Sequence, residues 1–178
     1  MNNTGYFPVP PGYSYSLPGC FGNYIACDPG YFSIGAASVC PPVPAGYFND
    51  QVAASNYIAC NPGTFSSGAA SECTSVPEGY YAAAFASPAY EPCLPGTFST
   101  GGAANCSSIP AGYYNPFSTA TSGLLYACPD GSYSTGGAAN CTVAAAGYYS
   151  NALSAATGEL PCAAGSASQG NASSCTNW

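Results

Sequence analysis

The sequence predicts a small disulfide-rich repeat array built of short β-hairpins and turns, with essentially no helix. Three observations predict it. A Cys-bounded block of fourteen residues occurs five times, Gly and Pro make up 39 of 178 residues, and Leu, Ile, Val and Phe together supply only 24.

The repeated block runs from Cys27 to Cys40, Cys60 to Cys73, Cys93 to Cys106, Cys128 to Cys141 and Cys162 to Cys175, always thirteen positions apart. Gly stands three residues after each first cysteine (Gly30, Gly63, Gly96, Gly131, Gly165) and again eight after it (Gly35, Gly68, Gly101, Gly136, Gly170). Ser takes the sixth place (Ser33, Ser66, Ser99, Ser134, Ser168) and Ala the tenth. Pro29-Gly30, Pro62-Gly63 and Pro95-Gly96 suit the centre of a type II turn, where Gly accepts the positive φ. Phe32, Phe65, Phe98 and Tyr133 then fall on a short strand leaving that turn. The second Gly turns the chain back toward the closing cysteine.

Between these blocks lies a Pro-Gly-Tyr half, opening on Val9, Val43, Val76, Ile109 and Ala144. The starts are 34, 33, 33 and 35 residues apart, a repeat-protein period. The array divides into a partial unit at 1–8 and repeats at 9–42, 43–75, 76–108, 109–143 and 144–178. The last is atypical: Ala167 replaces the aromatic, and Ala144-Ala145 replace the apolar-Pro pair, as terminal repeats often do. No charge run or low-complexity linker separates the units. Gly and Pro penalise helix interiors, and the Ala-rich pieces at 82–86 and 152–156 are too short to be helices alone.

An apolar fraction this low normally marks disorder, because little buried surface offsets the entropy of ordering the chain. Disordered chains are poor in Cys and aromatics, however, and this one has eleven Cys and sixteen Tyr. Crosslinks and Tyr/Pro packing therefore replace a deep core. Stable disulfides place the chain in an oxidising compartment, secreted or at a cell surface. Met1–Tyr6 has no mark of a signal peptide, so the expectation is a mature part of a longer precursor.

The chain has seven acidic residues and no Lys, Arg or His. Nucleic-acid binding needs cations on phosphate, and attraction to anionic lipid needs them too. Neither nucleic acid nor direct membrane insertion is expected, and no segment reaches the length of a membrane span.

The units resemble extracellular cysteine-rich repeats of the ephrin-receptor-like type, related in style to tumour-necrosis-factor-receptor modules. Cys60 to Cys73, followed by Thr74-Ser75-Val76-Pro77-Glu78-Gly79-Tyr80, carries the resemblance, which extends over nearly the whole chain. One departure is systematic: the second Cys of the family's Cys-x-x-Cys step is Val43, Val76, Ile109 or Ala144. One staple per unit is thus exchanged for an apolar contact. The resemblance implies an elongated, irregular, disulfide-stapled rod in a secreted or surface protein. Such repeats occur in receptor ectodomains and in surface proteins of protists, flagellar-hair components included.

The constant spacing favours pairing within each block: Cys27–Cys40, Cys60–Cys73, Cys93–Cys106, Cys128–Cys141 and Cys162–Cys175. The alternative pairs Cys20–Cys27, Cys40–Cys60, Cys73–Cys93, Cys106–Cys128 and Cys141–Cys162, with separations that vary and Cys175 left over. Sequence alone does not fix connectivity. Under the first pairing Cys20 is odd, either an intermolecular bridge, a free thiol, or the partner of an upstream cysteine. No cofactor is expected. Metal is not either, since there is no His, no Cys-x-x-Cys and no clustered oxygen-ligand pattern among the carboxylates.

Asn2, Asn105, Asn140 and Asn171 head Asn-x-Ser/Thr sequons, and a central Cys makes Asn105 and Asn140 the poorer acceptors. Ser and Thr near Pro leave room for O-linked sugar. Tyr47, Tyr80, Tyr81, Tyr113, Tyr114, Tyr148 and Tyr149 recur at repeat spacing, for stacking between adjacent units or as an aromatic ladder toward sugars or neighbouring chains. An enzyme is not expected, because the usual general base and cationic stabiliser are missing. The expected role is an extracellular structural protein, a segment of a glycosylated fibre or surface appendage, with copies of itself and covalent glycans as partners. The alternative is the stalk or ligand-binding ectodomain of an adhesion or receptor-like protein.

Overall fold

The computed structural model describes residues 8–15, 23–122, 124–150 and 155–177. Among these residues there is no helix, and every strand belongs to a two-stranded antiparallel hairpin. In chain order, β1 (Tyr13–Tyr15) pairs with β2 (Tyr24–Ala26), and β3 (Tyr47–Phe48) with β4 (Ile58–Ala59). Next come β5 (Thr64–Phe65) with β6 (Thr74–Ser75), and β7 (Tyr80–Tyr81) with β8 (Glu91–Pro92). The series continues with β9 (Thr97–Phe98) and β10 (Ser107–Ser108), then β11 (Tyr113–Tyr114) and β12 (Tyr126–Ala127). The final pairs are β13 (Ser132–Tyr133) with β14 (Thr142–Val143), β15 (Tyr148–Tyr149) with β16 (Leu160–Pro161), and β17 (Ser166–Ala167) with β18 (Thr176–Asn177). The Cys27–Cys40 block closes on a single bridge between Tyr31 and Pro42. The protein is a small disulfide-rich hairpin repeat array.

Two kinds of hairpin alternate. Those opening on Val9, Val43, Val76, Ile109 and Ala144 are termed tyrosine hairpins here, and those opening on a cysteine, cysteine hairpins. Both begin with the same turn. The residue after the Gly donates its N–H three residues back, as in Tyr47 to Pro44 (3.1 Å) and Thr64 to Asn61 (3.0 Å). The intervening Gly46 has φ +85° and Gly63 +83°, the value a type II turn demands at its third residue. The structural step is therefore 16 to 19 residues, half of the sequence repeat.

The chain forms two compact units: residues up to Val76 with Ala82–Tyr90, and Pro77–Tyr81 with the residues from Glu91 onward. Within each, every half-unit bonds to the next through backbone groups at fixed places. In the first unit, the N–H groups of Gly12, Gly30, Gly46 and Gly63 donate to the carbonyls of Ser33, Asn49, Ser66 and Ala82. In the second, Gly79, Gly96, Gly112, Gly131 and Gly147 donate to Ser99, Asn115, Ser134, Ser150 and Ser168. The glycine carbonyls in turn accept from the residue opening the next half-unit, as Gly46 does from Cys60 at 2.9 Å. This ladder replaces a wide sheet. It satisfies backbone groups that two-residue strands cannot, at about 1 kcal/mol net per bond.

The opening residues form the core. Val9, Cys27, Val43, Cys60, Val76, Cys93, Ile109, Cys128 and Ala144 are all buried, so apolar and disulfide-bonded side chains alternate at one structural position. The apolar residues standing where the resembling family has a second cysteine fill that slot. Each buried Val or Ile contributes about 1.5–3 kcal/mol by leaving water.

Gly is needed at the turn for a second reason. The carbonyl of a left-handed residue two half-units further on lies where a Cβ would project: Ala53 O is 2.0 Å from that point at Gly12, and Ala86 O is 2.0 Å at Gly46. That carbonyl belongs to a residue with φ of 48–67° in every non-Gly case, and Gly137, with φ 62°, fills the slot facing Gly96. Gly12, Gly30 and Gly46 of the first unit, and Gly79, Gly96, Gly112 and Gly131 of the second, thus bond to the next half-unit and pack on the one after.

Candidate interaction surface

The five disulfides are Cys27–Cys40, Cys60–Cys73, Cys93–Cys106, Cys128–Cys141 and Cys162–Cys175, with Cα separations of 5.6–5.8 Å. Each closes a cysteine hairpin. Cys20 and Asn2 lie outside the described residues. Among the described residues no group of His, Cys, Asp and Glu is arranged to hold a metal, and no helix is long and apolar enough to cross a membrane. The crosslinks fit a protein of the oxidising, secreted or extracellular environment.

The serines at the sixth place have a role that the sequence pattern marked without explaining. Ser66 Oγ donates to Tyr47 O at 2.7 Å, Ser99 Oγ to Tyr80 O at 2.8 Å, and Ser168 Oγ to Tyr148 O. The tyrosine hairpins put Asn or Ser at the same place: Asn49 Nδ2 donates to Tyr31 O at 2.8 Å and Ser150 Oγ to Ser132 O at 3.1 Å. A polar spine therefore ties these half-units to the ones before them, whereas Asn115 Nδ2 donates to Leu124 O within its own hairpin, and every buried side-chain polar atom among the described residues is satisfied. Ala82 interrupts this pattern, being buried with no hydroxyl to reach back. We expect Ala82→Ser, aimed at the Thr64 carbonyl, to raise stability by about 1 kcal/mol, read as a higher denaturant midpoint with an unchanged slope.

The repeat tyrosines make ring contacts inside their own hairpins. Tyr47 meets Tyr57 edge-on at 5.0 Å, and Tyr114 lies 5.7 Å from Tyr126. Stacking between successive half-units is made by other residues: Phe32 packs edge-on against Tyr57 at 4.9 Å and Phe65 against Tyr90 at 4.8 Å. Tyr57 and Tyr90 both stand three residues before a cysteine, a recurrence that could have singled them out. Tyr80 and Tyr149 are half-buried on their strands, whereas Tyr113 and Tyr148 are exposed.

Tyr81 donates its phenol to Glu91 Oε2 at 3.0 Å. That hydrogen bond, then the carboxylate's charge, then slight desolvation, raises the Tyr81 pKa above its ordinary value near 10. A folded-state pKa raised above the unfolded one gives stability that is present below about pH 10 and lost as pH rises through the folded value. Glu91→Gln should bring the Tyr81 titration back down toward that of a free phenol, as followed by carbon NMR of ring-labelled tyrosine.

The terminal repeat gains a backbone donor that the other repeats lack. Where the other repeats have Pro44, Pro77 and Pro110, Ala145 keeps an N–H, and Glu159 Oε2 accepts it at 2.7 Å. Asn105, Asn140 and Asn171 are all exposed. Asn171 occupies the left-handed slot (φ 48°), with its N–H bonded to Ala144 O at 2.8 Å.

The outer surfaces of the two hairpin kinds differ. On the closing strands of the tyrosine hairpins, Ile25 and Ile58 of the first unit and Tyr126 and Leu160 of the second are exposed, with Glu91 at the equivalent place in the third repeat. Their loops expose Val52, Phe85 and Phe117. The equivalent closing-strand places of the cysteine hairpins carry Thr74-Ser75, Ser107-Ser108 and Thr142-Val143. No protein-family model matches this chain, and no curated protein matches it.

Proposed function

We propose that this protein is an extracellular structural protein, a repeat segment of a glycosylated fibre or surface appendage that associates with copies of itself and performs no catalysis. The observation that carries the reading is the sorting of exposed apolar side chains. Of the seventeen large hydrophobic residues exposed among the described residues, twelve lie on tyrosine hairpins. Scattered exposed apolar residues are ordinary. Residues repeated at one structural place mark a contact surface, and a second copy of this chain presents the same spacing. With no Lys, Arg or His anywhere, that contact draws on apolar burial and not on ion pairs. The resemblance to extracellular cysteine-rich repeats supports the compartment and the scaffold role.

Negative-stain electron microscopy of the unreduced protein tests this. Filaments with a constant axial repeat are expected. Isolated particles at all concentrations would overturn self-assembly and leave the stalk or ectodomain reading. Ile58→Ser with Leu160→Ser should abolish filaments while changing the unfolding free energy of the single chain by no more than about 0.5 kcal/mol, as befits surface positions.

A further inference from the structure

We infer that the closing strands of the cysteine hairpins carry O-glycosylation sites, with Thr74, Ser75, Ser107, Ser108 and Thr142 as the acceptors. The inference names the sugar-bearing surface within the glycosylated-fibre reading and rests on that reading for its compartment.

Two sets of hydroxyls occupy the cysteine hairpins, and they are treated differently. On the opening strands, Thr64 Oγ1 donates to Asn61 O and Thr97 Oγ1 to Leu94 O, both at 2.7 Å. Ser132 Oγ donates to Pro129 O at 2.7 Å and Ser166 Oγ to Ala163 O at 2.8 Å. All four hydroxyls are used in closing the turn. Across the hairpin, Thr74, Ser75, Ser107, Ser108 and Thr142 are exposed, and no protein acceptor takes their hydroxyls, whereas Thr176 of the fifth cysteine hairpin donates to Ala167 O at 3.1 Å and is not among the acceptors. Their oxygens are free for covalent chemistry without breaking a bond of the fold.

The backbone there is also accessible. The opening side of each hairpin is bonded to the next half-unit, as Ser66 N–H is to Ser87 O at 3.2 Å. Each closing strand has only its hairpin partner as a strand neighbour. An exposed extended edge is the form in which a peptide adds to a binding groove by main-chain pairing. Ser67, Thr100 and Thr135 are exposed as well, but they stand where the chain enters the bends at Gly68, Gly101 and Gly136, with no such edge. Two of the acceptor pairs also lie just ahead of Pro77 and Pro110, the Ser/Thr-with-Pro setting of O-glycosylated stalks.

The reaction is transfer from a nucleoside-diphosphate sugar by a transferase of the secretory compartment. The side-chain oxygen attacks the anomeric carbon and the glycosidic C–O bond forms. The bond from that carbon to the diphosphate breaks, and the hydroxyl proton passes to the transferase base or the departing diphosphate. Sugar at these places supplies hydration to a chain with few charges and leaves the exposed apolar residues of the tyrosine hairpins bare.

The test is to secrete the full chain from a eukaryotic cell and measure its intact mass before and after enzymatic removal of N-linked glycans. Sites are then located by electron-transfer fragmentation of peptides cut at aromatic residues, since the chain has no Lys or Arg for the usual protease. Mass above the bare polypeptide should persist after N-glycan removal. It should map to the five named residues, and be lost when all five are changed to Ala. A fall to the bare polypeptide mass would overturn the inference in favour of Asn2, Asn105, Asn140 or Asn171. Sugar mapped to Thr64, Thr97 or the loop tips would overturn it also. Site location on the unaltered chain decides the matter even if the five-fold variant misfolds. Filaments without O-linked sugar would reject this inference alone, and sugar without filaments would reject self-assembly alone.

Discussion

Gly46→Ala should destabilise the protein by about 4 kcal/mol, through left-handed strain of about 1–2 kcal/mol and a clash that breaks neighbouring contacts. Gly46 has φ +85°, and its new methyl would sit 2.0 Å from Ala86 O. Ala86 cannot yield freely. It is itself left-handed at φ 56°, and its N–H is bonded to Cys60 O at 2.9 Å. Relief of the clash therefore disturbs the third half-unit, the fourth and the fifth. Gly147→Ala is the matched control, because φ is +83° there and nothing lies within 4 Å of the added methyl. It should cost only the backbone strain, about 1–2 kcal/mol. Urea unfolding of the two variants beside the parent measures the difference. Equal losses would show that the close approach of the carbonyl does not matter.

Removing the Cys60–Cys73 bridge as the double Ala variant should cost about 3 kcal/mol, the chain-entropy figure for a loop of this length. The bridge closes a loop with a sequence separation of 13. Cys60 is fully buried in the column of opening residues, so truncation to Ala adds a small cavity loss to the entropy term. The Cys162–Cys175 bridge has the same separation, but both of its cysteines are only half-buried. Its double Ala variant should therefore lose less. Denaturant midpoints under non-reducing conditions separate the two, and the Cys60–Cys73 variant losing no more than the other would contradict the buried-column account.

The cysteine blocks were legible because a staple leaves a constant trace: partners thirteen positions apart, with Gly at fixed places between them. The turn at Pro62-Gly63 was legible for the same reason, since few residues tolerate its φ. What sequence did not disclose is that Val43 and Cys60 are equivalent. They share no chemistry as side chains, but each opens the same turn and fills the same buried slot. Nor did the pattern show that Ser66 reaches back to the Tyr47 carbonyl. That contact spans nineteen residues and depends on the stacking of half-units, which no local propensity encodes. The repeat tyrosines were identified correctly as recurrent. Ring contact between half-units nevertheless falls to Tyr57 and Tyr90, because Tyr47 faces across its own hairpin.

The alternation of two hairpin kinds on one backbone plan has an evolutionary consequence. The bonds and buried slots that hold the array together involve the turn glycines, the opening residues and the polar spine, and none of these fixes the residues that face outward from a closing strand. Mutation can rewrite Ile58 or Thr74 without touching what makes the chain fold. One kind of hairpin is thus free to change its exposed apolar residues while the other changes its exposed hydroxyls. A lineage can retune the two exteriors independently while the shared interior keeps the residues that hold the array together.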